Sequence, residues 1–337
     1  MSSLTLDELA LLPLCGLLAY RAVRTFIFAF SSSHDGRPPP EAANYSAPAN
    51  TGTNHSRPLL EHEKGYKRRA LVLRGHDGIG AMAVQMLVQR GWRVSVHVPF
   101  SSVPAHTPQE VSERFMHVVE QRAREWGADE VIFDDGEEGG MDEGRGAAVR
   151  VLESLREDGD VFDAVLDTVG GKIVWAAAER LLKFQGSSTT DDTKPSIRRR
   201  GVGQFTTLVG HTPERVIPTA RDNFRAGLRA LRMGSANGNA SAGAVDGGAG
   251  SDTKGHGKVG YAWVSVAQDV DWEGDDVSET LGSVLRLALD KGVRPLTDSL
   301  GVDGMRKTRI VPFEQAPYLF VDNGPLTDGG AVVVAVA

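Results

Sequence analysis

The 337-residue chain is 41% hydrophobic and 24% charged, with 37 Lys and Arg against 44 Asp and Glu for a formal net charge of −7. That is apolar material for one large or two modest domains, and the acidic balance leaves no electrostatic footprint for nucleic acid or an anionic membrane surface. A single cysteine, Cys15, excludes internal disulfides and thiolate zinc clusters and fits a reducing compartment.

In the opening segment, MSSLTLDELALLPLCGLLAYRAVRTFIFAF, the apolar stretch Leu9 to Tyr20 is interrupted by Pro13 and flanked by Asp7, Glu8, Arg21 and Arg24. It reads as too short to span a bilayer, so no transmembrane segment is expected. Its acidic start argues against a secretory signal, and the expected location is cytoplasmic. The apolar tip Ala22 to Phe30 reads as packed on the rest of the protein, with an interfacial helix as the alternative. Residues 1–30 are therefore lead-in helices. Residues 31–66, 186–203 and 234–257, dominated by Ser, Pro, Gly, Asn, Ala and Asp, read as flexible, disordered insertions.

The remaining segments alternate. The spacing predicts strand Ala70 to Arg74, helix Gly80 to Arg90, strand Arg93 to Val98, helix Pro108 to Trp126, strand Glu130 to Phe133, helix Gly146 to Glu157 and strand Ala164 to Asp167. Helix Lys172 to Phe184, strand Phe205 to Val209, helix Ala220 to Met233, strand Tyr261 to Ala267 and helix Val277 to Lys291 follow. Such alternation predicts an α/β fold, a doubly wound and mainly parallel six-stranded sheet. The acidic run Asp134 to Glu143 reads as a solvated turn, and Arg198 to Arg200 as a solvated charge run.

Arg69 to Gly91, RALVLRGHDGIGAMAVQMLVQRG, is a strand, a glycine turn and an amphipathic helix, the opening of a nucleotide-binding βαβ unit. The turn Gly75-His76-Asp77-Gly78-Ile79-Gly80 fits G-x-G-x-x-G at Gly75 and Gly80, but Asp77 stands at the middle position, where backbone should approach a pyrophosphate. Its carboxylate would bring charge toward that group, with His76 or Arg74 as the available counter-charges. After the second strand, VHVPFSS offers neither an acid for the ribose hydroxyls of NAD nor an Arg or Lys for a 2′-phosphate. Ser101 and Ser102 leave NADP as the better supported dinucleotide. Asp163 and Asp167 share a strand face and read as hydrogen-bonding groups rather than as an acid/base pair. The scattered histidines, His55 and His62 among them, form no ligand pattern.

Several motifs, in order, resemble the cofactor domain of the medium-chain dehydrogenase/reductase superfamily of zinc alcohol dehydrogenases, quinone oxidoreductases and enoyl reductases. GLLAY at 16–20 is similar to GLTAY of quinone oxidoreductases, and AMAVQML at 81–87 to the helix after the glycine turn. WGADEVI at 126–132, FDAVLDTVGG at 162–171, FTTLVG at 205–210, KGVRPLTD at 291–298 and VPFEQA at 311–316 resemble later segments, followed by a final strand Ala331 to Ala335. The resemblance implies a Rossmann-like cofactor domain over 67–312 and a remnant of the catalytic domain over 313–337. It implies cofactor-binding roles for Gly75, His76, Asp77, Gly78, Ile79, Gly80, Ser101, Thr168, Gly170, Leu208 and Gly210, with His211 near the nicotinamide and no catalytic residue assigned.

The chain departs from that family by starting where its GroES-like barrel would end. Leu18 replaces the threonine of GLTAY, and Cys15 falls one residue from the family's cysteine, so Cys15 reads as a buried helix residue and no zinc is expected. The implied function is an NADP-dependent, zinc-independent oxidoreductase of the quinone-oxidoreductase type. It would act on a small carbonyl or quinone, bind its cofactor weakly, be inactive or nearly so, and be open to homo-oligomerisation. The alternatives are a non-catalytic Rossmann-like scaffold and a truncated gene model of an active reductase.

Overall fold

The computed structural model describes residues 3–30, 67–99, 109–134, 145–183, 203–211, 259–265, 276–300, 306–308, 310–320 and 332–336. The expected insertions (Gly203 apart), helix Ala220 to Met233, Arg198 to Arg200, His55, His62, Ser101 and Ser102 lie outside them.

Thr5 opens the first helix, α1 (Leu6–Leu11), with a capping box: its hydroxyl accepts from Glu8 N at 3.2 Å, and Glu8 Oε2 accepts from Thr5 N at 2.8 Å. A π-turn, Leu12–Gly16, then leads without a break into α2 (Leu17–Phe30). This corrects the expectation from Pro13. The proline stands in the first positions of the π-turn, where the widened register absorbs its missing N–H. The resulting 25-residue helix Leu6–Phe30 is long and apolar enough to cross a membrane, yet 72% of its most apolar window is buried inside the protein. Its tip is a packing element: Phe26 and Phe30 both meet the Trp92 ring, at 5.8 and 5.6 Å.

The strands β1 (Arg69–Val72), β2 (Arg93–Val98), β3 (Glu130–Phe133), β4 (Ala164–Asp167), β5 (Gln204–Thr207) and β6 (Gly260–Trp263) form one sheet. Its order is β3-β2-β1-β4-β5-β6 and every pairing is parallel. This is the doubly wound order with its reversal between β1 and β4. Among the described residues, five helices accompany it: α3 (Gly78–Gln89), α4 (Gln109–Glu125), α5 (Arg145–Glu157), α6 (Lys172–Lys183) and α7 (Val277–Lys291).

Period-two alternation divides the core. Ala70, Val72, Val94, Val96, Val98 and Leu166 face α2, α3, α4 and α7 in one apolar layer. Leu71, Leu73, Val165, Phe205 and Tyr261 face α5 and α6 in the other. Gly16 lets α2 reach α7, since a Cβ there would lie 2.5 Å from Val284 Cγ1. Gln85 of α3 holds the closing segment from both sides: its Oε1 accepts from Arg294 N and its Nε2 donates to Arg294 O, both at 2.9 Å.

Three strands end earlier than expected. β1 stops at Val72 because Arg74 turns into the left-handed region, at φ 51°. β5 stops at Thr207 and β6 at Trp263. Three short strands were not anticipated. β7 (Asp298–Leu300) pairs antiparallel with β8 (Arg306–Thr308), and β9 (Ile310–Pro312) pairs parallel with β10 (Val333–Ala335), joined in sequence by a 3₁₀ helix, Phe313–Phe320.

Candidate functional site

The turns after β1, β4 and β5 meet at the carboxyl edge of the sheet, beside the reversal of strand order where doubly wound sheets bind their ligands. Hydrogen bonds latch them together. Thr168 Oγ1 donates to Leu73 O at 2.8 Å, tying the β4 turn to the end of β1. Leu208 N donates to Asp167 O at 2.9 Å, and Gly171 N to Gly210 O at 2.8 Å, tying the β5 turn to the β4 turn. Gly75 N donates to His97 O at 3.0 Å, which fixes the glycine turn against β2. Gly75, His76, Asp77, Gly78, Ile79, Gly80, Thr168, Gly170, Leu208 and Gly210 thus share one edge, while Ser101 is outside the described residues.

Three glycines are demanded by geometry. A Cβ on Gly80 would lie 2.4 Å from Arg74 O and 2.9 Å from Gly75 Cα, so α3 can pack this closely on its turn only without one. That is the part played by the third glycine of a dinucleotide fingerprint. Gly170 adopts φ 83°, and its Cβ would meet Val209 Cγ1 at 2.7 Å. Gly210 adopts φ 81° against the Trp263 ring.

The middle position behaves differently. Asp77 is the N-cap of α3, in extended conformation at φ −146° and ψ 162°, and its Oδ1 accepts from Gly78 N at 2.7 Å. The carboxylate therefore lies on the helix N-terminus, where the backbone N–H groups and the helix dipole favour an anion. Gly75 and Gly80 fit the tight-turn and helix-packing positions of a dinucleotide fingerprint. The seat for its diphosphate holds a carboxylate of the chain itself, and in that respect the residues do not fit.

Asp167 anchors the β4 turn. It accepts from Val169 N at 2.9 Å and Gly170 N at 2.8 Å. Its carboxyl is 1% exposed with its residue, and burial pushes it above the usual carboxylate range against the opposing pull of the Gly170 amide, the Thr207 hydroxyl and the Val169 amide. Asp163, at the other end of β4, accepts from Arg69 N at 2.8 Å. Both carboxylates organise backbone, as their spacing suggested. His211 follows Gly210 and lies flat on Tyr261, with centroids 5.3 Å apart and planes 8° apart, in a cluster that Trp175 and Phe205 complete. Cys15 is buried in the π-turn, and Leu18 is buried in α2.

Asp134 corrects the reading of its acidic run as a solvated turn. Its side chain is 1% exposed and meets His97 Nε2 at 3.3 Å, while the rest of the run, 135–143, lies outside the described residues. Pairing β2 with β3 sets Val98 beside Phe133, and this brings the two side chains together at the carboxyl edge. The only sequence signal was a histidine in an apolar strand, a group that must find a partner when buried.

No protein-family profile and no curated protein matches the chain. Among solved structures, the quinone oxidoreductase of Thermus thermophilus, determined alone and with NADPH, matches over 100% of this chain and 68% of that one, at 17% identity and a TM-score of 0.46. An NAD-dependent alcohol dehydrogenase matches over 99% and 60%, at 13% identity and a TM-score of 0.45. The 2-octenoyl-CoA carboxylase reductase CinF, determined with NADP and 2-octenoyl-CoA, matches over 93% and 46%, at 15% identity and a TM-score of 0.41. This chain spans 44% of the length of a further match, AibC. The doubly wound fold is carried by the strand order itself.

Proposed function

We propose that the chain is a dinucleotide-binding domain of the medium-chain dehydrogenase/reductase kind, NADP-linked and zinc-independent, of quinone-oxidoreductase descent. The observation that carries this reading is the latched set of three turns at the β1/β4 edge. Gly75 and Gly80 keep that turn and the start of α3 tight, and in this reading the dinucleotide would lie along the edge that Thr168, Gly170, Leu208 and Gly210 share with them. A bound nicotinamide would supply hydride for a small carbonyl or quinone. The chain contributes position and shape. Ser101 on the adenosine side, a cytoplasmic location and assembly into homo-oligomers belong to the same proposal, as does the division into lead-in helices, cofactor domain and C-terminal remnant.

A second reading, a non-catalytic binding module, is favoured by Asp77, whose carboxylate caps the helix that should receive the diphosphate. Titration calorimetry with NADPH and NADH tests the first. Saturable NADPH binding with a Kd of about 0.1 mM, roughly −5.5 kcal/mol, and weaker NADH binding are expected. Heat-silent titrations with no ligand-induced rise in Tm would refute the cofactor reading. Quinone turnover with NADPH at about 1 to 1,000 per second would refute the second.

A further inference from the structure

Resting on the dinucleotide reading, we propose that Asp77 is a built-in competitor for the diphosphate: its carboxylate occupies the anion seat of α3, and a dinucleotide binds only by displacing it. The backbone around the seat is held on several sides. Gly75 N is committed to His97 O at 3.0 Å, and Ala81 N to Asp77 O at 3.1 Å. Thr168 Oγ1 holds Leu73 O at 2.8 Å. Gly80 is wedged against Arg74 O, where even a Cβ would be 2.4 Å away.

The turn therefore cannot slide to open room. The side chain of Asp77 is then what must move, rotating off Gly78 N and giving up at least the 2.7 Å cap. A dinucleotide restores an anion to the helix terminus but first loses the one already there. If the carboxylate stays nearby, it also meets a repulsion that partial exposure screens only in part. The seat thus selects against ligands by the charge they place at this one point. A nucleoside with no phosphate escapes the penalty, and a diphosphate carries all of it.

The test compares the wild-type chain with D77N and D77A. Asparagine caps a helix as well as aspartate, so D77N removes the charge and keeps the cap, whereas D77A removes both. D77N is expected to keep the wild-type circular dichroism and Tm and to bind ADP and NADPH about tenfold tighter, with adenosine affinity unchanged. D77A, which vacates the seat altogether, is expected to bind ADP and NADPH at least as tightly as D77N and to melt about 2–4 °C lower, the loss of one cap in a chain of this size; D77A affinities no higher than wild type also overturn the proposal. Equal, measurable ADP and NADPH affinities in wild type and folded D77N overturn the proposal alone. An adenosine affinity that rises in step with ADP also overturns it, because the charge would then not be the cause. If no variant binds ADP or NADPH, the dinucleotide reading falls and the proposal falls with it.

Discussion

Replacing Gly80 by Ala puts a number on how tightly α3 is seated on the glycine turn. The new Cβ would lie 2.4 Å from Arg74 O and 2.9 Å from Gly75 Cα, both backbone atoms, so no rotamer change relieves the contact. Helix and turn must separate by about 0.6 Å or more to recover the 3.0 Å floor of ordinary Cβ contacts. The turn resists, being tied to His97 O and, through Leu73, to Thr168. Overpacking of this kind costs about 1–3 kcal/mol, with the high end expected where the obstruction is backbone. Alanine returns about 1 kcal/mol through its helix propensity. The net loss should be about 2 kcal/mol, or about 4–8 °C in Tm. Gly282→Ala in α7 is the control, because a Cβ there meets nothing within 4 Å and only the propensity gain of about 0.5–1 kcal/mol remains. Urea unfolding followed by circular dichroism at 222 nm measures both, and unchanged m-values license the comparison. A G80A protein as stable as wild type would refute the seating argument, since the propensity gain would then have met no opposing contact.

Arg69 at the amino edge reaches Glu130 at 2.6 Å and Asp160 at 2.5 Å and lies over the Phe162 ring at 4.2 Å. R69M keeps the stem over the ring and should lose about 1–3 kcal/mol in urea unfolding with NADPH affinity unchanged; a loss under about 0.5 kcal/mol would remove the cluster from the stabilising contacts. Asp167 gives a pH signature. Because burial raises its folded-state pKa, its favourable contribution relative to D167N is full below the unfolded value near 3.8 and is lost as pH rises through the raised folded value. Urea unfolding of both proteins from about pH 4 to pH 7 should show wild type losing ground to D167N as pH rises, and the opposite slope would refute the assignment of burial as the dominant cause.

The sheet was legible because its strands are short, mostly apolar runs that alternate with segments of helical spacing. Arg93–Val98, Glu130–Phe133 and Ala164–Asp167 have the bounds that pattern predicts. What was illegible depended on partners distant in sequence. Pro13 looked like a break until the π-turn absorbed it, and Asp134 looked solvated until β2 set His97 beside it. Strands β7 and β8, DSL and RKT, carry almost no apolar signal and exist by pairing with each other. At the candidate site, the glycines announced the turn, but Asp77 was read as a charge aimed at a ligand. Its cap on Gly78 N could not be seen without the dihedral angles of the turn.

The position of β1 between β2 and β4 has a consequence during synthesis. Ala70 pairs with Val94 on one side and with Ala164 on the other, so the second partner leaves the ribosome long after the first. For that interval Ala70-Leu71-Val72-Leu73 presents an unpaired apolar strand edge, the kind of template that captures other nascent chains. Lys67, Arg68 and Arg69 immediately precede it, and three adjacent positive charges oppose edge-to-edge association between copies. The Arg69 that later clamps Glu130 and Asp160 in the finished protein thus serves earlier as a gatekeeper, over the part of that interval before Glu130 has emerged to meet it.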